Sequence, residues 1–316
     1  KRIEVKKPKE IASDSLQNPS DPDATYSGHK GQGYQLQVME TYTDSEDKEI
    51  KSQTLNLITH VEVEKACESD AQALIPAIES TQKRKLGPQE LEADALYGSD
   101  ENCESAESMG VELVAPAMGN TEKSAVSLSQ FEFSQKGHVL SCPQGQKPLT
   151  VKKKKTRFTQ GFSCQTCAGC PLLNDCPVKP GKKYYYLRYE EKAMRIAKRR
   201  AEEQTTAFKD RYRWRAGVEA SISELDRRTG VKRLRVRGFK AVRFCATLKA
   251  IGVNLFRAAA VRRAANHDNT DHHKVNSALN YTIFFVKERF EKIFSALKNY
   301  FALNPYNINQ ILRNNI

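Results

Sequence analysis

Apolar and polar residues first fall into a regular pattern at residues 33–42. There Tyr34, Leu36 and Val38 share one face of a predicted strand, and Gln35 and Gln37 share the other. A turn at 44–48 and a second strand at 55–63 complete a predicted antiparallel hairpin. Residues 69–78 read as a helix capped by Ser69, with Pro76 expected to disturb its middle. A short strand at 90–94 runs into a Gly-containing turn. A helix opens at residue 100 behind Ser99, and another short strand follows at 110–116. Strand, strand, helix, strand, helix, strand is an α/β order.

Residues 120–187 break that order. They hold most of the cysteines, the run Lys152-Lys153-Lys154-Lys155 and the cluster Tyr184-Tyr185-Tyr186. We therefore divide the chain into an extended, polar lead-in (1–27), a first part of the α/β core (28–119) and a Cys-rich insert with its own scaffold (120–187). A basic helical part of the core follows (188–265), then a linker and an aromatic, Asn-rich tail of different character (266–316).

Charge sharpens this picture. The 316 residues carry a formal net charge of +13 and a sequence pI of about 9.3. Such a balance favours a polyanionic partner, nucleic acid before an anionic membrane, over a basic surface with no role. From residue 231 to 263 there are ten basic residues and no acidic one. No stretch approaches the roughly 20 apolar residues of a membrane span, and the N-terminal stretch has no apolar core of a signal peptide. The expected location is the cytoplasm, beside the nucleoid. Eight cysteines in such a protein point to metal ligation or free thiols rather than disulfides.

Two carboxylates stand out. Asp94 ends a short strand just before a turn, where sites gather in open α/β sheets. Glu219 lies on a later helix beside Arg211, Arg213 and Arg215. Carboxylates on neighbouring elements are what two-metal phosphoryl transfer requires, with divalent ions about 4 Å apart stabilising the attacking and leaving oxygens. The plainer reading is an Asp opening a turn and a Glu in a surface ion pair.

The blocks around these residues carry a resemblance. Ala93 to Asn102 is similar to the Asp-bearing block of bacterial insertion-sequence transposases of the DDE type. Arg215-Ala216-Gly217-Val218-Glu219 resembles their Glu-bearing block. Arg235 to Val242 and Ile251 to Arg257 resemble the stretches that follow it. Asp21-Pro22-Asp23-Ala24 with Gly31-Gln32-Gly33-Tyr34 resembles the lead-in to the second core strand. These blocks span roughly residues 15–263 in the family's order.

The resemblance implies an RNase H-like (retroviral-integrase-like) mixed sheet flanked by helices and interrupted by the Cys-rich insert. It also implies metal-dependent DNA strand cleavage and strand transfer. Asp94 and Glu219 would be two members of the acidic triad and hold Mg²⁺ or Mn²⁺. The triad's first Asp has no convincing counterpart in residues 1–20, so the chain is expected to begin after the first core strand. The alternative is a catalytically dead, zinc-containing DNA-binding remnant of such an enzyme.

Cys142, Cys164, Cys167, Cys170 and Cys176 offer five thiols for a four-ligand Zn²⁺ site, against reduced, partly buried thiols or an iron–sulfur cluster. The family's insert pattern selects Cys142, Cys167, Cys170 and Cys176, with the zinc structural. Cys67, Cys103 and Cys245 are expected on helices as core residues. Expected DNA contacts are Arg213, Arg215, Lys232, Arg233, Arg235, Arg237, Lys240 and Arg243, with Lys249, Arg257, Arg262 and Arg263 behind them. The DNA would be the element's ends and its target, bound by a homo-oligomer, with no membrane partner. Trp214 is expected beneath the Glu219 helix and His60 in a structural place on its strand. His272 and His273 are assigned nothing.

Overall fold

The computed structural model describes residue 7, residues 10–119 and residues 126–267, with side chains to residue 265. The chain divides into Lys1–Ala258 and Ala259–Ile316, and of the second unit only the end of one helix is described. The expected linker and tail, including His272 and His273, thus lie outside the described residues.

The first unit opens with β1 (Thr25–Ser27), β2 (Gly31–Glu40), α1 (Lys48–Gln53) and β3 (Ile58–Lys65), which form an antiparallel sheet in the order β1-β2-β3. The predicted hairpin is therefore present, with Leu36 opposite Val63 and Val38 opposite Val61. The connection expected as a turn alone contains α1, because Asp47 accepts a hydrogen bond from the Glu49 N–H at its start.

A 3-10 turn and α2 (Leu74–Lys83) come next, on the sheet face that presents His60. Pro76 lies in the first turn of α2, where a missing N–H costs nothing, so the helix is not broken. Then come β4 (Glu90–Glu92), α3 (Asp100–Ser108) and β5 (Glu112–Val114), with β4 and β5 parallel. Ser99 caps α3 by accepting the Asn102 N–H at 3.1 Å.

The expected single mixed sheet is not formed. The antiparallel strands and the parallel pair are separate sheets. Side chains, not a backbone ladder, join them: Met39 of β2 packs with Leu91, Ala93 and Leu113, and Tyr97 donates to Gln37 at 2.6 Å. Among the described residues, the β1 side of β2 beyond Gly33 and the outer side of β4 have no strand partner.

The insert contains β6 (Glu132–Phe133), β7 (Val139–Ser141), β8 (Thr150–Lys154), β9 (Arg157–Phe162), α4 (Cys164–Ala168), β10 (Lys179–Pro180) and β11 (Tyr185–Glu190). Four of these strands form an antiparallel sheet in the order β10-β11-β9-β8. One face buries Phe158, Phe162, Leu187 and Tyr189 with Met194 from the following helix, so the insert has a core of its own.

That helix, α5 (Glu191–Glu202), joins the insert to α3, since Arg195 grips the buried Asp100 at 2.6 Å. Then follow α6 (Thr206–Tyr212), α7 (Gly217–Thr229) and α8 (Phe239–His267). Val242, Ala246, Ala250 and Val253 recur at helical spacing on α8 and pack on the β2–β3 face made by Leu36, Val38, Val61 and Val63. Contrary to the sequence reading, α8 is long and apolar enough over Phe239–Ala265 to cross a membrane by length and composition. Its buried face is nonetheless committed to the sheet, and Asn254 pairs with both backbone groups of Ile58 at 2.9 Å. Phe244, Leu248, Ile251 and Leu255 are exposed on the other side.

Candidate active site and cysteine cluster

Asp94 stands two residues beyond β4. Its carboxylate caps the 3-10 turn Ala95–Tyr97 by accepting the Ala95 N–H at 2.6 Å. Gly98 closes that turn against the 115–118 segment: a Cβ there would lie 1.9 Å from the Pro116 carbonyl oxygen. Arg199 locks the same loop, donating to the Gly98 carbonyl at 3.0 Å and the Ala115 carbonyl at 2.9 Å. Glu219 projects from the first turn of α7 and is well exposed.

The fold brings these two carboxylates to one cation. Arg215 lies 3.0 Å from Asp94 Oδ2 through Nη2, and 3.4 Å from Glu219 Oε1 through Nη1. One turn earlier, Arg211 spans Glu90 and Glu112 at 2.9 and 2.7 Å, neutralising two like charges that face each other across the parallel pair. Between the two arginine clamps lies Glu92, whose carboxylate oxygens are both buried without a hydrogen-bond partner. Burial pushes its carboxyl above the ordinary range, against the pull of the neighbouring Tyr42 hydroxyl first and then of Arg211. Tyr97 closes the other side. Its hydroxyl is pushed up to about 12 by burial first, then by the negative charges of Asp70, Glu64 and Asp94.

The arginines named as DNA contacts are thus partly engaged within the chain. Arg213 pairs with Glu46 at 2.8 Å and Arg215 with the two carboxylates. Arg243 pairs with Glu62 at 2.8 Å, and Lys232 approaches Asp226 at 3.9 Å. Arg257 joins Glu40 and Glu224, and Lys249 donates to the Thr229 carbonyl. Arg233, Arg235, Arg237 and Lys240 are exposed; Leu234 and Val236 alternate with the three arginines and turn inward.

The cations of Arg213 and Lys51 lie over the Trp214 ring, 4.7 and 5.3 Å from its centroid. His60 is buried, bonded to Ser80, and its imidazole is lowered by burial and then by Arg84 and Arg243. The lead-in acids have a role the sequence reading did not see. Asp21 accepts the Gly238 N–H at 3.1 Å and Asp23 the Phe239 N–H at 2.9 Å, so they cap α8 from the far end of the chain.

Cys142, Cys164, Cys167, Cys170 and Cys176 converge beside the insert's core, all half-buried and free. Burial pushes the Cys167 thiol up to about 11, and crowding by Cys176, Cys142, Cys170 and Cys164 adds to it. The donors suit zinc in kind, but among the described residues no three His, Cys, Asp or Glu side chains stand in metal-holding geometry. Cys103 and Cys245 lie on α3 and α8 as expected. Cys67 lies in the turn after β3, because that strand ends the ladder at Lys65.

A strand-end carboxylate and a helix carboxylate thus share one cation, and both are open to solvent. In comparison with known proteins, residues 141–259 match the family described as Transposase DDE domain. The match includes Glu219, all five of the clustered cysteines and their sheet, while Asp94 precedes it. It supports a DDE-type transposase in general, and with that an enzyme whose substrate is DNA. No curated protein and no solved structure matches the chain.

Proposed function

We infer that the chain is the catalytic part of a DDE-type transposase that cleaves DNA strands and joins a 3′-hydroxyl end to target DNA. The observation that carries this reading is the convergence of Asp94 and Glu219, 125 residues apart in sequence, on the Arg215 guanidinium. A guanidinium between two carboxylates marks a place where positive charge is stabilised. Hard oxygen ligands around it fit Mg²⁺ or Mn²⁺, which keep waters in their remaining positions.

Asp94 and Glu219 would hold the ion, and the bound ion would supply Lewis acidity to the phosphate and lower the pKa of its water. The chain's own part is positional. The Gly98–Pro116 contact and Arg199 fix the turn that carries Asp94, and the Arg215 clamp sets α7 beside it. Arg233, Arg235, Arg237 and Lys240 would hold the DNA backbone as phosphate contacts. A structural zinc held by Cys142, Cys167, Cys170 and Cys176, a homo-oligomeric DNA complex and a bacterial insertion-sequence origin belong to the same proposal.

The test is nicking of supercoiled plasmid in Mg²⁺ or Mn²⁺ by the full chain and by Asp94→Asn and Glu219→Gln. We expect wild-type nicking that stops with chelator, and loss of about 100-fold or more in each variant. Plasmid binding should be unchanged. Nicking that survives both substitutions overturns the site assignment. A wild type that binds but never nicks overturns the enzyme and leaves a DNA-binding remnant. Metal analysis of the purified chain reads the zinc, with about one ion per chain expected.

A further inference from the structure

The cross-strand register of the insert's sheet sorts its side chains into two unlike faces. Phe158, Gln160, Phe162, Leu187 and Tyr189 point to the insert's core. The other face follows from the pairs Lys152 opposite Thr159, Thr159 opposite Arg188, Lys154 opposite Arg157, and Lys179 opposite Tyr186. Lys152, Lys154, Arg157, Arg188 and Lys179 therefore share one surface, and all five are exposed.

Like charges directly opposite each other destabilise an antiparallel pair, as Lys154 and Arg157 must here. At Arg195, Arg211, Arg215, Arg243 and Arg257 the fold answers a cation with an acid. On this face, among the described residues, none of the five cations has an ion-pair partner; the one acid in the register, the exposed Glu190, stands opposite Arg157 without pairing with it, and the other four cations face no acid. Two aromatic rings complete the surface. Tyr186 lies under the Arg188 guanidinium at 5.2 Å, and Tyr184 crosses it edge-on with centroids 6.1 Å apart. Gly181 and Gly161 make room for them: a Cβ at Gly181 would meet the Tyr186 ring at 2.5 Å, and one at Gly161 would meet Tyr184 at 3.1 Å.

We propose that this cationic sheet face is a docking surface for the sugar-phosphate backbone of DNA, separate from the Asp94–Glu219 site. Charge complementarity selects the partner. A row of uncompensated cations is relieved by a polyanion that releases counterions on binding. Contacts from such a face go to phosphates, which carry no base sequence. It does not depend on the cutting reaction, so either proposal can fail alone.

The test measures binding of the full chain to a labelled 30-base-pair duplex across a salt series, by fluorescence anisotropy. The variant is Lys152→Gln with Lys154→Gln, Arg157→Gln and Arg188→Gln. We expect affinity to fall at least about 10-fold at low salt, and the slope of log affinity against log salt to flatten by about 2–4. Plasmid nicking at saturating protein should persist. A control replaces four exposed lysines elsewhere, Lys65, Lys83, Lys136 and Lys147, by Gln.

Equal losses in variant and control mean bulk charge, and overturn the proposal, as does an unchanged salt slope in the variant. Circular dichroism reports folding. Should the fourfold variant unfold, the pair Lys152→Gln with Arg188→Gln carries the same test, with a slope change of about 1–2. Binding to anionic phospholipid vesicles that the fourfold variant loses, with duplex binding intact, would reassign the face to membranes and overturn it too.

Discussion

Glu92 shows how much one side chain decides. It lies between two arginine-clamped acid pairs and belongs to neither. Its carboxyl is raised by burial, so the folded state holds its proton more tightly than the unfolded chain does. A raised acid contributes most below its unfolded pKa and loses that contribution as pH rises through the folded value. Glu92→Gln should therefore stabilise the protein at pH 7, by about 1 kcal/mol. The gain should shrink toward pH 4.5. Urea melts at the two pH values check both the sign and the trend, and a variant less stable at pH 7 would mean that the Tyr42 hydroxyl beside Glu92 outweighs the cost of burial.

His60 titrates the other way. Its imidazole is lowered, so its contribution is present above the unfolded value and is lost as pH falls. Wild-type stability should decline between pH 7 and 5, and His60→Gln should flatten that decline in the same melts.

At the scale of elements, the loop that carries Asp94 depends on a missing side chain. Gly98 has ordinary φ, so its role is not conformational freedom but close approach to Pro116. Gly98→Ala forces that contact apart and should cost about 2 kcal/mol. It should also reduce nicking more than DNA binding, because Asp94 shifts while the basic surfaces do not. Thermal melting and the plasmid assay separate the two effects.

Sequence alone made several elements legible. The β2–β3 hairpin, the Ser99 cap, the short β4 and β5 strands and the helical return after the insert follow from alternation and caps. Asp94 and Glu219 were legible as residues. Their shared arginine was not, because Arg215 read as a phosphate contact and nothing local says that its partner is 121 residues away. The spacing Glu90, Glu92, Asp94 carried a signal that was missed: three acids on one side of an extended segment need cations, and Arg211 and Arg215 stand four residues apart. The Asp21 and Asp23 caps on α8 were beyond any local pattern, since capping partners more than 200 residues apart leave no periodicity.

For the whole molecule, the largest departure from the sequence reading is the divided sheet. Propensity placed β2, β3, β4 and β5 but neither β1 nor the strands of the insert, and which strands pair is set by tertiary contacts. Here β2 and β4 meet through Met39, Tyr97 and Gln37 rather than through amides. Each therefore keeps one run of backbone donors and acceptors without a ladder.

Those two runs leave each copy of the chain with strand edges open to pairing. A strand edge accepts any extended segment, one from a second copy included. The net charge of +13 holds copies apart. Salt weakens that restraint within about 10 Å at 0.1 M. Concentrated protein should then scatter more light as salt is raised, and the rise should slow when an excess of a short extended peptide occupies those edges.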